Sequence, residues 1–182
     1  MGFLAGKQIL ITGLLSNRSI AYGIAQAMHR EGATLAFTYQ GEGVKDRVTK
    51  LAAEFGSDII LPCDVSIDQE ITALFDALGK RWDGLDGIVH SIAFAPREAI
   101  SGAFLDGMTR ENFRMAHDIS AYSVAALAKA GLPMMKGRKA ALVTLTYLGG
   151  VRSMQNYNLM GVAKASLDAT MRDLAYDLGP QG

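Results

Sequence analysis

The sequence predicts a doubly wound α/β fold, a parallel sheet with helices on both faces, and two observations carry that reading. Short, β-branched apolar runs alternate with stretches of helical period along the chain. The first run is followed at once by a glycine turn at Gly13 that leads into a helix. Such turns stand beyond the carboxyl ends of strands, where α/β sheets hold their ligands. With 182 residues, 49% of them apolar, the chain can bury a substantial core, and 1–182 is read as one domain.

The elements follow in order. Ile9-Leu10-Ile11, between Lys7 and the Gly13 loop, reads as a buried first strand. Ala21 to Arg30 has a helical pattern, with Gly32 as its stop, and Thr34 to Tyr39 forms a second strand. Val44, Val48, Leu51, Ala52 and Phe55 share one face of a helix ahead of a third strand at 58–61. Ser66 is expected to cap a helix whose Ile67, Ile71, Leu74, Phe75 and Leu78 form a stripe. A fourth strand runs through Ile88, Val89 and His90. Thr109 opens a helix reaching about Lys129, a fifth strand spans 140–146, and a last helix covers 158–178 before Gly179-Pro180. Gly41-Glu42-Gly43 and 97–107 are expected to be mobile loops.

Composition narrows the function. Lys plus Arg and Asp plus Glu each total 18, so no net charge draws the chain to nucleic acid or to an anionic membrane, and a small-molecule partner is expected. Cys63 is the only cysteine, which removes an intrachain disulfide and a multi-cysteine metal site and fits a reducing, cytoplasmic compartment. The start MGFLAGK has no long apolar run, Gly6 stands where a myristoylation signal wants Ser or Thr, and no membrane-spanning stretch follows. No metal is expected either: His29, His90 and His117 lack a shared ligand spacing and read as structural. The methionines, among them Met154 and Met160, read as core or pocket lining.

The residues able to carry chemistry lie in the loops after the strands. The stretch from Gly13 to Gly23 does not match G-x-G-x-x-G, so a plain turn and a pyrophosphate cradle at a helix N-terminus are both open. Gln40 ends the second strand where a polar side chain can bond adenosine ribose hydroxyls. No Arg occupies positions 40 to 46 to receive a 2′-phosphate, which favours NAD over NADP. Asp64 can accept from an adenine amino group or serve in the cap of the next helix. Tyr157 and Lys164 stand seven residues apart, close to two turns and roughly 10 Å along a helix axis. A phenol there can hydrogen-bond an oxygen that gains charge, and an ammonium can hold ribose hydroxyls; two ordinary helix-surface residues are the alternative. Tyr147, just after the fifth strand, lines a substrate site or is a packed aromatic.

Taken together, Gly13-x5-Ser19-x-Ala21, Ser91-Ile92-Ala93-Phe94-Ala95, and Tyr147-Leu148-Gly149 followed by Tyr157-x6-Lys164 resemble the bacterial enoyl-acyl carrier protein reductases. That family is a divergent, Rossmann-like branch of the short-chain dehydrogenase/reductase superfamily, and the likeness spans the chain. It implies NADH-dependent reduction of the trans-2 double bond of enoyl thioesters on acyl carrier protein, the last step of fatty-acid elongation, by a cytoplasmic homotetramer. It implies cofactor contacts from Gly13, Ser19, Ile20, Gln40, Asp64, Val65 and Ile92, with Ala95 beside the substrate. It makes Tyr147 and Tyr157 the active-site tyrosines and Lys164 the ligand of the nicotinamide ribose. Proton delivery to the α-carbon falls to Tyr157 or to water relayed past Lys164.

Family members continue beyond the position of Gly182 with strands and a covering loop. The resemblance therefore also implies a chain shortened at its C-terminus, with the fifth strand left as an edge and turnover impaired.

Two other readings compete. An ordinary ketoacyl reductase places its lysine four residues after the tyrosine and a serine about thirteen before it, where this chain has Gly161 and Thr144. A non-catalytic NAD-sensing module would share the fold, but would not need Tyr157 and Lys164.

Overall fold

The computed structural model describes residues 2–182. Five parallel strands, β1 (Gln8–Ile11), β2 (Thr34–Tyr39), β3 (Ile60–Pro62), β4 (Gly87–His90) and β5 (Ala141–Thr144), form one sheet in the order β3-β2-β1-β4-β5. The order runs outward in both directions from β1, so the sheet is doubly wound, with β3 and β5 at its edges. Its helices are α1 (Ile20–Arg30), α2 (Glu42–Ala53), α3 (Asp68–Leu78), α4 (Arg110–His117), α5 (Ser123–Met135) and α6 (Asn158–Leu178).

The chain forms two compact units. The first runs through Ser91 and adds Ala128–Thr144 and Gly182, and so holds the whole sheet. Side chains alternate across it. Ile9, Ile11, Leu35, Phe37 and Val89 pack with Ala21 and Ala25 of α1 and Val48, Leu51 and Ala52 of α2. On the other face a Cβ at Gly131 of α5 would stand 2.8 Å from Phe75 of α3 and 2.9 Å from Ile88 of β4, so the missing side chain lets α5 settle onto that layer. Among the described residues no helix is long and apolar enough to cross a membrane.

The amino ends of β1, β4 and β5 are tied by one buried carboxylate. Asp86 accepts from Lys7 Nζ (3.0 Å), the Gln8 amide (3.0 Å) and Arg138 Nη1 (3.0 Å), while Arg138 Nη2 also donates to Asp83 (2.9 Å). Burial pushes the Asp86 carboxyl up, but the Gln8 amide and the two cations outweigh it and hold the group below the usual carboxylate range.

The second unit comprises Ile92–Leu127 and Leu145–Gln181, with α4, α6 and the first residues of α5. Ala99, Ala116, Leu159, Met160 and Ala163 form its core, with Ala95, Met108 and Tyr157 packed against them. Thr109 caps α4 as expected, its hydroxyl accepting from the Asn112 amide at 3.1 Å.

Several expected boundaries move. The helix after Thr109 is broken by a π-helical turn, Asp118–Tyr122, and α5 carries on to Met135 with Pro133 inside it. β3 starts at Ile60, because its pairing with Phe37–Tyr39 sets the register, and Asp58 instead accepts from Arg81 Nη2 at 2.7 Å. Ser66 does not cap α3: its amide and hydroxyl both donate to Asp64 Oδ1, and Ile67 takes the cap position. Gly41 is no mid-loop residue; its φ of 70° turns the chain directly into α2 at Glu42. β5 ends at Thr144, since the Leu145 carbonyl turns to Lys164.

Candidate active site

In the first unit the loops after β1, β2 and β3 bring most of the expected cofactor residues to one edge of the sheet. Gly13 has φ 79°, and a Cβ there would stand 1.9 Å from the Ser91 carbonyl oxygen, so glycine is required where the β1 and β4 loops cross. Ser19 caps α1: its hydroxyl donates to the Ser16 carbonyl (2.7 Å) and accepts from the Tyr22 amide (3.3 Å). Ile20 is largely exposed at the mouth of the helix. The arrangement is a glycine turn feeding a helix N-terminus, the geometry that receives phosphate.

At the other end of this edge Gln40 Nε2 donates to Asp64 Oδ2 at 2.9 Å, so two residues chosen separately from the sequence are neighbours. Asp64 is also the acceptor for Ser66, and its own amide donates to Glu70 at 2.7 Å. Burial raises the Asp64 carboxyl, but the bonds from Gln40 and Ser66 prevail and hold it below the usual range, ionised and ready to accept. Val65 is buried beside it. Lys45, in the helix that follows Gln40, is engaged by Glu42 at 3.1 Å and lies over the Tyr39 ring. Burial, with Glu70 and Asp64 nearby, pushes the Cys63 thiol up to about 12, leaving it inert.

In the second unit the tyrosines meet. Tyr147 precedes a 3-10 turn at Leu148–Gly150, Tyr157 occupies the cap position of α6, and their rings lie 4.7 Å apart at 60°. Tyr157 thus stands at the N-terminal cap, one residue before the start of the helix that carries Lys164. Its neighbours Asn156 (φ 57°) and Asn158 (φ 37°) both adopt left-handed backbone, which asparagine tolerates better than most residues. The Asn158 side-chain amide donates to the Gly102 carbonyl at 3.2 Å. Among the described residues neither phenol has a hydrogen-bond partner. Burial raises the Tyr157 phenol above its ordinary value, and Tyr147 raises it further, so Tyr157 stays a protonated donor at neutral pH.

Lys164 is 5% exposed and its Nζ donates to the Leu145 carbonyl at 2.6 Å. Burial lowers its pKa, with Asp168 pulling the other way. Ala95 packs in the cluster that holds Tyr157 and Met160, which brings the expected substrate contact and the expected phenol together. Ile92 is half-buried nearby in sequence. A cleft of about 470 Å³ is lined by Phe104, Gly149, Arg152, Met154, Tyr157 and Asn158, among others; of the expected site residues it takes in only Tyr157.

Two features escaped the sequence reading. Ser120, buried in the π turn, accepts from the Phe94 amide (2.9 Å) and donates to the Phe94 carbonyl (3.0 Å), fixing the Ile92–Ala95 segment. The visible signal is a buried serine within an otherwise periodic helix. The second is the seat of Gly161 against the Gly149 turn: a Cβ at 161 would stand 2.7 Å from the Gly149 carbonyl oxygen. A lysine four residues after Tyr157, the ketoacyl reductase arrangement, has no room there.

Residues 13–182 match the family model described as enoyl-(acyl carrier protein) reductase. The chain belongs to this family. Over its full length it is 60% identical to the NADH enoyl-[acyl-carrier-protein] reductase of Neisseria meningitidis and 56% identical to that of Escherichia coli, spanning 70% and 69% of those relatives. The crystal structure of the enzyme from Aquifex aeolicus superposes with a TM-score of 0.97 at 51% identity, covering 100% of this chain and 71% of that one. The Bacillus cereus reductase, determined with NADP+ and an indole naphthyridinone, gives 0.95 at 43% identity, with 100% and 71% covered. The reductase family thus includes a structure carrying NADP+, which bears on the cofactor preference read from Gln40.

Proposed function

We propose that this family member reduces the trans-2 double bond of enoyl thioesters on acyl carrier protein, with NADH, in the last step of fatty-acid elongation. NADH supplies the hydride. Gly13, Ser19 and Ile20 receive its pyrophosphate at the α1 N-terminus, Gln40 and Asp64 with Val65 hold the adenosine end, and Ile92 completes the contacts. The donors and acceptors present fit such a group: an ionised Asp64 is an acceptor, and the α1 N-terminus offers free N–H groups.

Tyr157 acts on the substrate. Hydride delivery to the β-carbon would place negative charge on the thioester oxygen, to which the unengaged phenol donates a hydrogen bond; a proton from Tyr157, or from water relayed past Lys164, would then complete the α-carbon. Burial keeps that phenol protonated. Tyr147, ring against ring, fixes its direction, and Ala95 borders the acyl group. Lys164 holds the nicotinamide ribose and keeps the local potential positive. The 1–182 chain is taken as one NAD-binding and catalytic domain, working in the cytoplasm as a homotetramer.

The observation that carries this reading is the Gly161–Gly149 contact, which supports a lysine seven rather than four residues beyond the tyrosine. The test is oxidation of NADH by the purified chain with a trans-2-enoyl thioester. Slow consumption, above that without the thioester, is expected, in keeping with the impaired turnover expected of this chain. A chain that binds NADH and oxidises none of it is the NAD-sensing module instead.

A further inference from the structure

Three glycines press the 3-10 turn against α6 in the second unit. A Cβ at Gly149 would stand 2.3 Å from Tyr157 Cδ1 and 3.3 Å from Tyr147 Cδ1, so both rings lie directly on that residue. A Cβ at Gly150 would meet Asp168 Oδ2 at 2.9 Å and the Ala165 nitrogen at 3.2 Å, while one at Gly161 would meet the Gly149 carbonyl oxygen at 2.7 Å. The turn is thus clamped between the tyrosine rings above and the α6 backbone below. Its closest backbone approach is at Gly161, a buried residue that touches neither substrate nor cofactor in the reading above.

We infer that Gly161 is a positioning residue for the reaction: its missing side chain seats the Gly149 carbonyl on α6 and so sets the distance and tilt between Tyr147 and Tyr157. A methyl at 161 meets a backbone oxygen rather than the yielding end of a side chain, so the turn must lift, and Gly149 carries both rings with it. Helix propensity argues in the opposite direction, because Ala in place of Gly stabilises a helix interior by up to about 1 kcal/mol. Glycine at this position is therefore explained by the seating and not by the helix.

The inference rests on the proposed role of Tyr157, and the experiment separates the two. Gly161→Ala is compared with the parent chain and with Gly43→Ala, a helical glycine whose added Cβ meets nothing within 4 Å. Carbon-13 at the tyrosine ring carbons, assigned with Tyr157→Phe, reports the ring pair and the titration of Tyr157. In Gly161→Ala the Tyr147 and Tyr157 resonances should shift and the Tyr157 titration should move toward the ordinary tyrosine value. Turnover should fall about tenfold to a hundredfold, with the KM for NADH nearly unchanged, as expected for a misplaced reacting group. Gly43→Ala should alter none of these.

Ring resonances and turnover both unchanged in a folded Gly161→Ala protein overturn the inference. In the parent chain a nuclear Overhauser contact between the Tyr157 ring and the Gly161 α-protons is expected, since a Gly161 Cβ would lie 3.6 Å from Tyr157 Cδ1; its absence overturns the inference even where the variant does not fold. Full turnover in Tyr157→Phe, by contrast, sinks the proposed role of Tyr157 while leaving the ring measurement to judge the seating.

Discussion

The first unit ties its expected cofactor residues to one another, whereas in the second, among the described residues, the Tyr147 and Tyr157 phenols have no hydrogen-bond partner. Gln40 bonds Asp64, Asp64 gathers Ser66, and Ser19 bonds Ser16 and the α1 backbone. Tyr147 and Tyr157 touch only as rings. Groups that bind a ligand already present can hold their geometry through internal bonds and exchange some of them on binding. A donor meant for charge that appears only in the transition state must be kept unspent and already aimed. The contrast teaches that removing a side chain in the second unit should damage chemistry with little loss of stability, and that the reverse should hold at the amino edge of the sheet.

The sharpest way to break that comparison is Tyr157→Phe. The phenol gives up no internal bond, so stability should stay within about 0.5 kcal/mol of the parent. Turnover of an enoyl thioester should drop about 10²–10³-fold while NADH affinity is kept. Thermal unfolding and steady-state kinetics read the two sides, and a variant that melts early yet turns over normally reverses the contrast.

Asp86→Asn probes the opposite case. It leaves Lys7 and Arg138 without their carboxylate and should cost about 2 kcal/mol of stability, with turnover per folded molecule unchanged. Because the folded-state pKa of Asp86 is depressed, its contribution is present above the unfolded carboxylate value and is lost as pH falls through the lower, folded value. Denaturant midpoints measured down the acid range should therefore converge for parent and variant. A gap that persists undiminished in acid would remove Asp86 from the explanation.

Lys164 lies between the extremes, bonded to Leu145 yet assigned to the cofactor. Burial lowers its pKa while burial raises that of Tyr157. With rising pH, NADH affinity should weaken first, below the ordinary lysine range, and the turnover of cofactor-saturated enzyme should fail only later. Lys164→Ala should abolish the first limb. A single shared limb for both quantities would contradict the assignment.

The smallest effect is expected at Gln40. Gln40→Arg gives up the bond to Asp64 and offers a guanidinium to a 2′-phosphate, so the preference for NADH over NADPH should narrow by about tenfold, roughly 1.4 kcal/mol. Titration of both cofactors settles it, and equal affinity in the unmodified chain would show that the missing basic residue at this loop does not select NADH.

Legibility in the sequence followed the range of the interaction. β2 and α6 stand at the expected residues, because their signals, a short apolar run that starts after Gly32 and a long periodic stretch bounded by Gly179-Pro180, are local. β3 shifted because Asp58-Ile59-Ile60-Leu61 supports either start, and pairing with Phe37 decides. The α4–α5 break could not be read from period alone, since the π turn depends on Ser120 reaching the Phe94 backbone across 26 positions of chain. At the site, Gly13, Ser19, Gln40, Asp64, Tyr147 and Tyr157 were visible as residue types in loops or at caps, and Lys164 as a helix residue seven positions beyond Tyr157. What the pattern could not convey was their arrangement: Gln40 upon Asp64, Tyr157 at the α6 cap between two left-handed asparagines, and Gly161 beneath Gly149.

The central claim is that a free phenol, paired with a lysine seven residues on, serves reduction of a carbon–carbon double bond and not of a ketone. One measurement tests it most directly: the purified chain with NADH, offered a trans-2-enoyl thioester or the ketoacyl thioester of the same chain length, with the absorbance of the reduced nicotinamide followed in each. Consumption with the enoyl thioester and none with the ketoacyl thioester is the predicted result. Consumption with the ketoacyl thioester, at a rate matching or exceeding the other, would contradict the account.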